Sequence, residues 1–370
     1  MKASYKVAVW ATGGVGKYAI RTIADRPNLD LVGVWVHSDD KNGKDAGELA
    51  GIDPVGVLAT QDKSEILGGD ADCVVYAAPA PHRMSEAIDD LCRILAAGKN
   101  IVTTSISGLV YPRGSMPAKV IDAIRGAAEA GSSSLFSSGI EPGFAADLLP
   151  IALMSMSHKV YSVHGIEITN YSEYPNAYDM RELFGFGQPL DYQGGLKMPG
   201  TLRWGWGAAV TMVADALGAE LTDMREMCEF QPTPRDISTA FGLVEAGTVG
   251  ATRAACIGVV DGQDVITIEH VDRLADDLAP HWLKGRDGGT DGIWRVIIDG
   301  EPSIDAEFEV GHRSGESHND HGLLATGMRA VNAIPWVCEA EPGIVDALHI
   351  PLTSPAGALH PHRDGISAFS

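Results

Sequence analysis

A short apolar run, Val7-Ala8-Val9-Trp10, passes directly into Ala11-Thr12-Gly13-Gly14-Val15-Gly16 and then into a helical pattern from Lys17. A strand that ends in close-spaced glycines and opens a helix presents backbone N–H groups to a pyrophosphate at the edge of an α/β sheet. The spacing is Ala11-x-Gly13-x-x-Gly16, with alanine where the usual G-x-G-x-x-G begins. At Gly13 the backbone can approach phosphates closely, and at Gly16 the helix can pack against the strand. We therefore read Ala11, Thr12, Gly13, Gly14, Val15 and Gly16 as cofactor-binding. The pattern is weak alone and gains weight from its place in a βαβ unit.

That unit repeats through the first 145 residues or so. Strands are expected at Lys6–Trp10, Leu31–His37, Cys73–Ala77, Asn100–Thr104 and Ser134–Ser137. Helices are expected at Lys17–Arg26, Ser85–Ala97 and Pro117–Ala130, with a shorter element at Ser64–Gly68. Strands apolar throughout and separated by helices imply a parallel sheet covered on both faces. After Pro150 the texture changes. A strand is expected at Val160–Thr169, a helix at Ala208–Leu217, and two hairpins around Asp261-Gly262 and Asp299-Gly300. The fold class is α/β, with a second α+β domain on a mainly antiparallel sheet. Residues 1–147 form the dinucleotide-binding domain and 148–321 the substrate and dimerisation domain, and a C-terminal helix of about 322–350 packs back on the first. The stretch Phe184–Gly207 is too long for an ordinary connection and reads as a functional lid or an insertion.

With 28 basic against 49 acidic residues, the chain carries a formal charge of −21. Most of its surface repels phosphodiester backbones, so no nucleic-acid partner is expected. No run approaches a membrane span and no signal peptide is evident, which gives a cytoplasmic expectation with no membrane partner. Five scattered cysteines without a C-x-x-C fit reduced thiols. His312, His318 and His321 match no zinc signature, so no metal site is expected. His164, inside a strand, reads as a satisfied core histidine.

Strand two ends Val36-His37-Ser38, with Asp39 and Asp40 next and Lys41 and Lys44 nearby. A hydroxyl with neighbouring lysines suits a ribose 2′-phosphate, so His37, Ser38 and Lys41 favour NADP(H). Asp39 leaves NAD(H) possible. Small residues at the end of strand four, Ala78 and Pro79, and the hydroxyls of Thr103 and Thr104 at the next strand end mark where a nicotinamide ring would lie. Those hydroxyls either bond the ligand or cap the turn.

Several segments together resemble a known family: the strand-one turn, His37–Gly51, Asn100–Pro112, Gly139–Phe144 and Met328–Pro351. They look like the dihydrodipicolinate-reductase-like proteins, in the branch of 2,4-diaminopentanoate dehydrogenase and the related NAD(P)-dependent amine dehydrogenases. The resemblance implies a Rossmann domain, an α+β substrate domain, a cleft between them and a homodimer. It also implies hydride transfer between a nicotinamide and a carbon bearing an amine or carbonyl. Those amine dehydrogenases have a glutamate just after the Thr-Thr/Ser-Thr strand end. Here that place reads Ser105-Ile106-Ser107-Gly108, without a carboxylate. Glu141, in Gly139-Ile140-Glu141-Pro142-Gly143-Phe144, is the substitute, unless it serves only as a charge at the next helix N-terminus.

The catalytic candidates are Glu141, Ser107, Tyr171 and Tyr174, the tyrosines as donors to a carbonyl oxygen or as edge packing. Trp204 and Trp206 line an apolar pocket or pack a dimer. The expected partner is a small, fairly apolar carbonyl or amine compound. Alternatives are a ketone/alcohol dehydrogenase without amination activity, or a non-catalytic NADP(H)-binding protein.

Overall fold

The computed structural model describes residues 2–80, 83–311 and 317–360. From the N-terminus come β1 (Tyr5–Trp10), α1 (Gly14–Asp25), β2 (Leu29–Trp35), α2 (Ala46–Ala50), β3 (Ala59–Thr60) and α3 (Lys63–Gly68). Next are β4 (Cys73–Tyr76), α4 (Met84–Ala96), β5 (Asn100–Thr103), α5 (Ala118–Gly131) and β6 (Ser134–Ser137). Then follow α6 (Leu148–Met154), β7 (Lys159–Asn170), α7 (Thr201–Ala216), β8 (Asp223–Pro232), β9 (Ile237–Thr239) and β10 (Gly242–Val244). The remaining strands of this part are β11 (Val249–Val260), β12 (Gln263–Arg273), β13 (Ile293–Glu301) and β14 (Ile304–Glu309). After them lie α8 (His318–Val331), α9 (Ile334–Val337) and β15 (Gly343–Val345).

The first sheet has seven parallel strands in the order β15-β6-β5-β4-β1-β2-β3. Its central strands are apolar because both faces are covered; all of β4, Cys-Val-Val-Tyr, is buried. Helix α1 buries Tyr18, Ala19, Ile20 and Ile23, which recur at helical spacing. Strand order reverses direction between β4 and β1, so a crevice opens beyond their C-terminal ends, where α/β sheets bind ligands.

The second sheet runs β14-β13-β7-β12-β11-β8, antiparallel except for the central parallel pair β7–β12. Helix α7 crosses it, seating Val210 and Val213 fully out of solvent. Each such side chain contributes about 1.5–3 kcal/mol. The hairpin at Asp261-Gly262 is as expected, joining β11 to β12.

Three expectations need correction. Helix α7 starts at Thr201, so the end of the supposed loop is helical; the spaced glycines and tryptophans obscured its period. Asp299-Gly300 is not a turn. Both residues stay in β13 beside β7, at a register shift, and the chain reverses after Glu301. The segment 322–350 is no single helix: α8 packs on α1, α9 follows, and β15 pairs with β6 at the sheet edge. The stretch 184–200 is packed, not loose. Phe186 is fully buried and stacks between Phe184 and Phe241. Among the described residues no helix is long and apolar enough to cross a membrane.

Candidate active site

The glycine turn is built by close backbone approach. A Cβ on Gly16 would overlap the Ala11 carbonyl oxygen, so only glycine lets α1 lie this near β1. Ala11 itself has φ +80°, the left-handed region that alanine adopts at a cost. Around Gly13, which caps α1, a Cβ would meet nothing within 4 Å. The first N–H groups of a helix have no intrahelical acceptor, so this open end of α1 fits a pyrophosphate. Lys41 reaches the same turn, its Nζ 3.2 Å from Thr12 Oγ1. Ser38 caps the short 3-10 turn Asp39–Lys41, and His37 is exposed with its carbonyl held by Gln61. Asp39 accepts from Gln61 Nε2 at 2.9 Å.

At the ends of β4 and β5, Ala78 is buried and Pro79 exposed. The Thr103 hydroxyl donates to the Tyr76 carbonyl at 2.8 Å and accepts from Ser105 N, so it caps the turn. Thr104, beside it, faces a cavity of about 330 Å³ between the two sheets. Val15 of α1, Ile140 and Glu141 close one side of this cavity, and Glu167, Thr169 and Tyr171 of β7 and its end line another. Tyr174, Phe184, Trp206, His270 and Trp294 complete the second-sheet side. Helix α8 enters with His318, Asn319 and Leu323, and His318 Nδ1 is bonded to the Val310 carbonyl oxygen at 2.7 Å.

Glu141 is delivered here by a tight link between β6 and α6. Gly143, at φ +123°, has its N–H held by Asp147 Oδ2 at 2.7 Å, and a Cβ on it would press on Gly139 N at 2.5 Å. Both Glu141 carboxyl oxygens are buried without a hydrogen-bond partner among the described residues. Burial pushes its carboxyl well above the carboxylate range, reinforced by the nearby charges of Asp147 and Glu167. Asp147, also buried, is raised to about 6 despite two backbone hydrogen bonds. Tyr171 donates to Glu167 Oε1 at 3.0 Å, and its ring meets Tyr174 edge-on at 5.5 Å. Burial raises both phenols, Tyr174 to about 12, so they stay protonated donors.

Of the four catalytic candidates, the structure brings Glu141, Tyr171 and Tyr174 together. Ser107 lies elsewhere, its Oγ 3.5 Å from the Trp204 carbonyl on α7. Trp206 lines the cavity, while Trp204 is partly exposed. His164 is half-buried, not core; its Nε2 pairs with buried Glu269 at 2.6 Å. His312 lies outside the described residues. Sequence reasoning missed Glu167, His270 and Asp272, whose potential ligand atoms lie within 4.8 Å of one another. The only trace was His270 and Asp272, two polar residues that follow Ile266 and Ile268 at alternate positions on one strand face.

Comparison with known proteins decides the family. Residues 144–363 match the 2,4-diaminopentanoate dehydrogenase C-terminal domain, and residues 5–104 match the dihydrodipicolinate reductase N-terminus. The chain belongs to the 2,4-diaminopentanoate dehydrogenase family. An amine dehydrogenase of Streptomyces virginiae is 39% identical over 95% of this chain and 97% of its own length. A 2,4-diaminopentanoate dehydrogenase of Acetoanaerobium sticklandii is 24% identical over 98% of this chain and 97% of its own. The solved structure of an amine dehydrogenase from Mycobacterium smegmatis has the same fold, with a TM-score of 0.74 at 20% identity over 95% of this chain and 97% of that one. The protein is an NAD(P)-dependent oxidoreductase acting at a C–N or C=O carbon.

Proposed function

We propose that this family member interconverts a small, fairly apolar amine and the corresponding carbonyl compound, preferring NADP(H) while accepting NAD(H). One observation carries the reading: among the described residues the cavity is lined by Glu141 and Glu167, with Asp272 close behind, and by no lysine or arginine. Acidic side chains that burial keeps neutral ionise when a cation comes beside them, so this cavity suits an ammonium or iminium better than a neutral alcohol. The same field disfavours substrates that bear a carboxylate. Ile140, Phe184, Trp206, Trp294 and Leu323 offer the rest of the substrate an apolar surface.

In the amination direction a carbonyl and an ammonium ion become an amine and water. The C–N bond forms, the C–O bond breaks, and the bound nicotinamide supplies the hydride to the carbon. Glu141, protonated by its burial, gives a proton to the departing oxygen and regains one from nitrogen as the cycle closes. Tyr174 orients the carbonyl oxygen by donating to it, while Tyr171, whose proton is held by Glu167 Oε1, packs edge-on against the Tyr174 ring and sets its position. Ser107 has a positioning role, holding the first turn of α7 against the end of β5.

The NADP(H) preference rests on Lys41 at the glycine turn and on the absence of a carboxylate at the very end of β2, Asp39 being tied to Gln61. The homodimer and the cytoplasmic setting implied by the resemblance belong to this proposal as well; light scattering on the purified protein measures the former.

The test is NADPH oxidation over a panel of small ketones and aldehydes, with and without ammonium. We expect turnover that needs ammonium. Ammonium-independent turnover would make the protein a ketone/alcohol dehydrogenase instead, and tight NADPH binding with no turnover a non-catalytic binder.

A further inference from the structure

Strands β7 and β12 run parallel with Glu167 directly beside His270 and Thr169 beside Asp272. Side chains two apart share a face, so all four lie on one side of the sheet: Glu167, Thr169 and His270 line the floor of the cavity, and Asp272 is fully buried beside them. Glu167, His270 and Asp272 are 6%, 4% and 0% exposed. Glu167 is anchored, accepting from Tyr171 Oη at 3.0 Å and from Trp294 Nε1 at 2.9 Å. The others are not. Among the described residues, both ring nitrogens of His270, both carboxyl oxygens of Asp272 and the Thr169 hydroxyl are buried without a hydrogen-bond partner, the nearest approach being His270 Nδ1 to Glu167 Oε1 at 3.5 Å. Polar atoms sealed from water in this number mark a place built for a ligand.

We propose that Glu167, His270 and Asp272 form a seat for a free ammonium ion, the nitrogen donor for amination, separate from Glu141. The inference rests on the amine–carbonyl reading above. One candidate ligand atom from each residue lies within 4.8 Å of the others. His270 Nδ1 lies 3.5 Å from Glu167 Oε1, and the carboxyl oxygens of Glu167 and Asp272 are acceptors for N–H bonds of about 2.9 Å. Burial holds the His270 ring below its usual pKa, so it stays neutral with one nitrogen free to accept. The Trp206 ring packs on the cluster, its centroid 4.4 Å from that of His270 and its plane tilted by 55°.

The step balances as follows. The ammonium ion gives one proton to the cluster, and the nitrogen lone pair forms the C–N bond. One further nitrogen proton and the Glu141 proton go to the oxygen, which leaves as water. A nicotinamide held at the glycine turn would supply the hydride to the iminium carbon, and the cluster proton restores Glu141. Four ammonium protons end as two on nitrogen and two in water.

Trp206 provides a readout independent of turnover. Ammonium chloride titrated into the full-length protein should change tryptophan fluorescence saturably, while tetramethylammonium chloride at equal ionic strength should not. The change should vanish in Asp272→Asn and persist in Glu141→Gln. In kinetics, Asp272→Asn and His270→Gln should each raise the KM for ammonium at least tenfold, with the KM for the carbonyl and for NADPH within twofold. Two variants guard against a folding failure in one. A silent titration, an unchanged ammonium KM, an equal rise in the carbonyl KM, or chelator-sensitive zinc binding at the cluster would overturn the proposal. Failure of the underlying reading looks different, because it appears as turnover without ammonium in the unaltered enzyme.

Discussion

At the end of the parallel sheet, the hydroxyls of Thr103, Ser105 and Ser137 each donate to a backbone carbonyl. Across the cleft, polar atoms of Glu141, Thr169, His270 and Asp272 are buried and have no hydrogen-bond partner among the described residues. The first region is finished by its own backbone and presents a shape, which suits a cofactor common to many enzymes. The second is left incomplete in its side chains and awaits a specific ligand. Recognition on the two sides therefore rests on different atoms, and substitutions should separate them.

The largest separation is expected from Glu141→Gln. Loss of a proton-transfer group should lower kcat by about 10²- to 10⁴-fold, while NADPH binding, followed by its fluorescence, stays within twofold. Equal losses in both would erase the distinction. The converse variant is Gly16→Ala, whose added methyl overlaps the Ala11 carbonyl oxygen. Overpacking of about 1–3 kcal/mol predicts NADPH binding weakened about 5- to 100-fold, with the ammonium-induced fluorescence change retained.

Acid titration sharpens the contrast further. Burial raises the carboxyls of Glu141 and Asp272 in the folded protein well above their unfolded values. Such groups bind more protons folded than unfolded, so they favour the folded state most at low pH. Their contribution falls as pH rises from the unfolded values of 4.5 and 3.8 towards the folded ones. The double variant Glu141→Gln, Asp272→Asn should therefore gain Tm over the parent at pH 8 relative to pH 5. A gain that is equal at both would mean the acids are ionised in the folded protein.

Smaller effects belong to the cofactor side. Lys41→Ala should reduce the preference for NADPH over NADH, judged by kcat/KM, by about tenfold or less, in keeping with an exposed charge contact of about 1 kcal/mol. Ala11→Gly relieves a left-handed alanine that costs about 1–2 kcal/mol, offset by about 0.5–1 kcal/mol of chain entropy. Its Tm should rise by a degree or two. A fall would mean that the Ala11 methyl makes a contact that outweighs the strain.

The cofactor side was legible because its chemistry is written in consecutive residues. Ala11 to Gly16 is one turn, and β1, β4, β5 and β6 announce themselves as short apolar runs with boundaries within a residue or so of those observed. Glu141, Tyr171 and Tyr174 were also readable, since each follows a recognisable strand end. The ammonium seat was not. It depends on the parallel register of β7 against β12, which sets Glu167 beside His270 across about a hundred residues, and no local pattern encodes that pairing. Strand β15 was invisible for a related reason: three residues in a proline-rich tail carry little periodicity until β6 offers them an edge.

That late strand bears on how the molecule is made. Strand β6 lies wholly buried, yet the chain that covers its outer side comes from the far end of the sequence. The Ser134 hydroxyl bonds to the Val337 carbonyl across 203 positions. While the protein emerges from the ribosome, the dinucleotide half can assemble five of its strands around β1 and still expose the apolar border of β6. An uncovered edge of this kind is a template for pairing with other chains. Between the emergence of residue 137 and that of residue 345, nascent chains carry a sticky flank, so the final segment also acts as a covering flap whose loss would make the protein prone to aggregate.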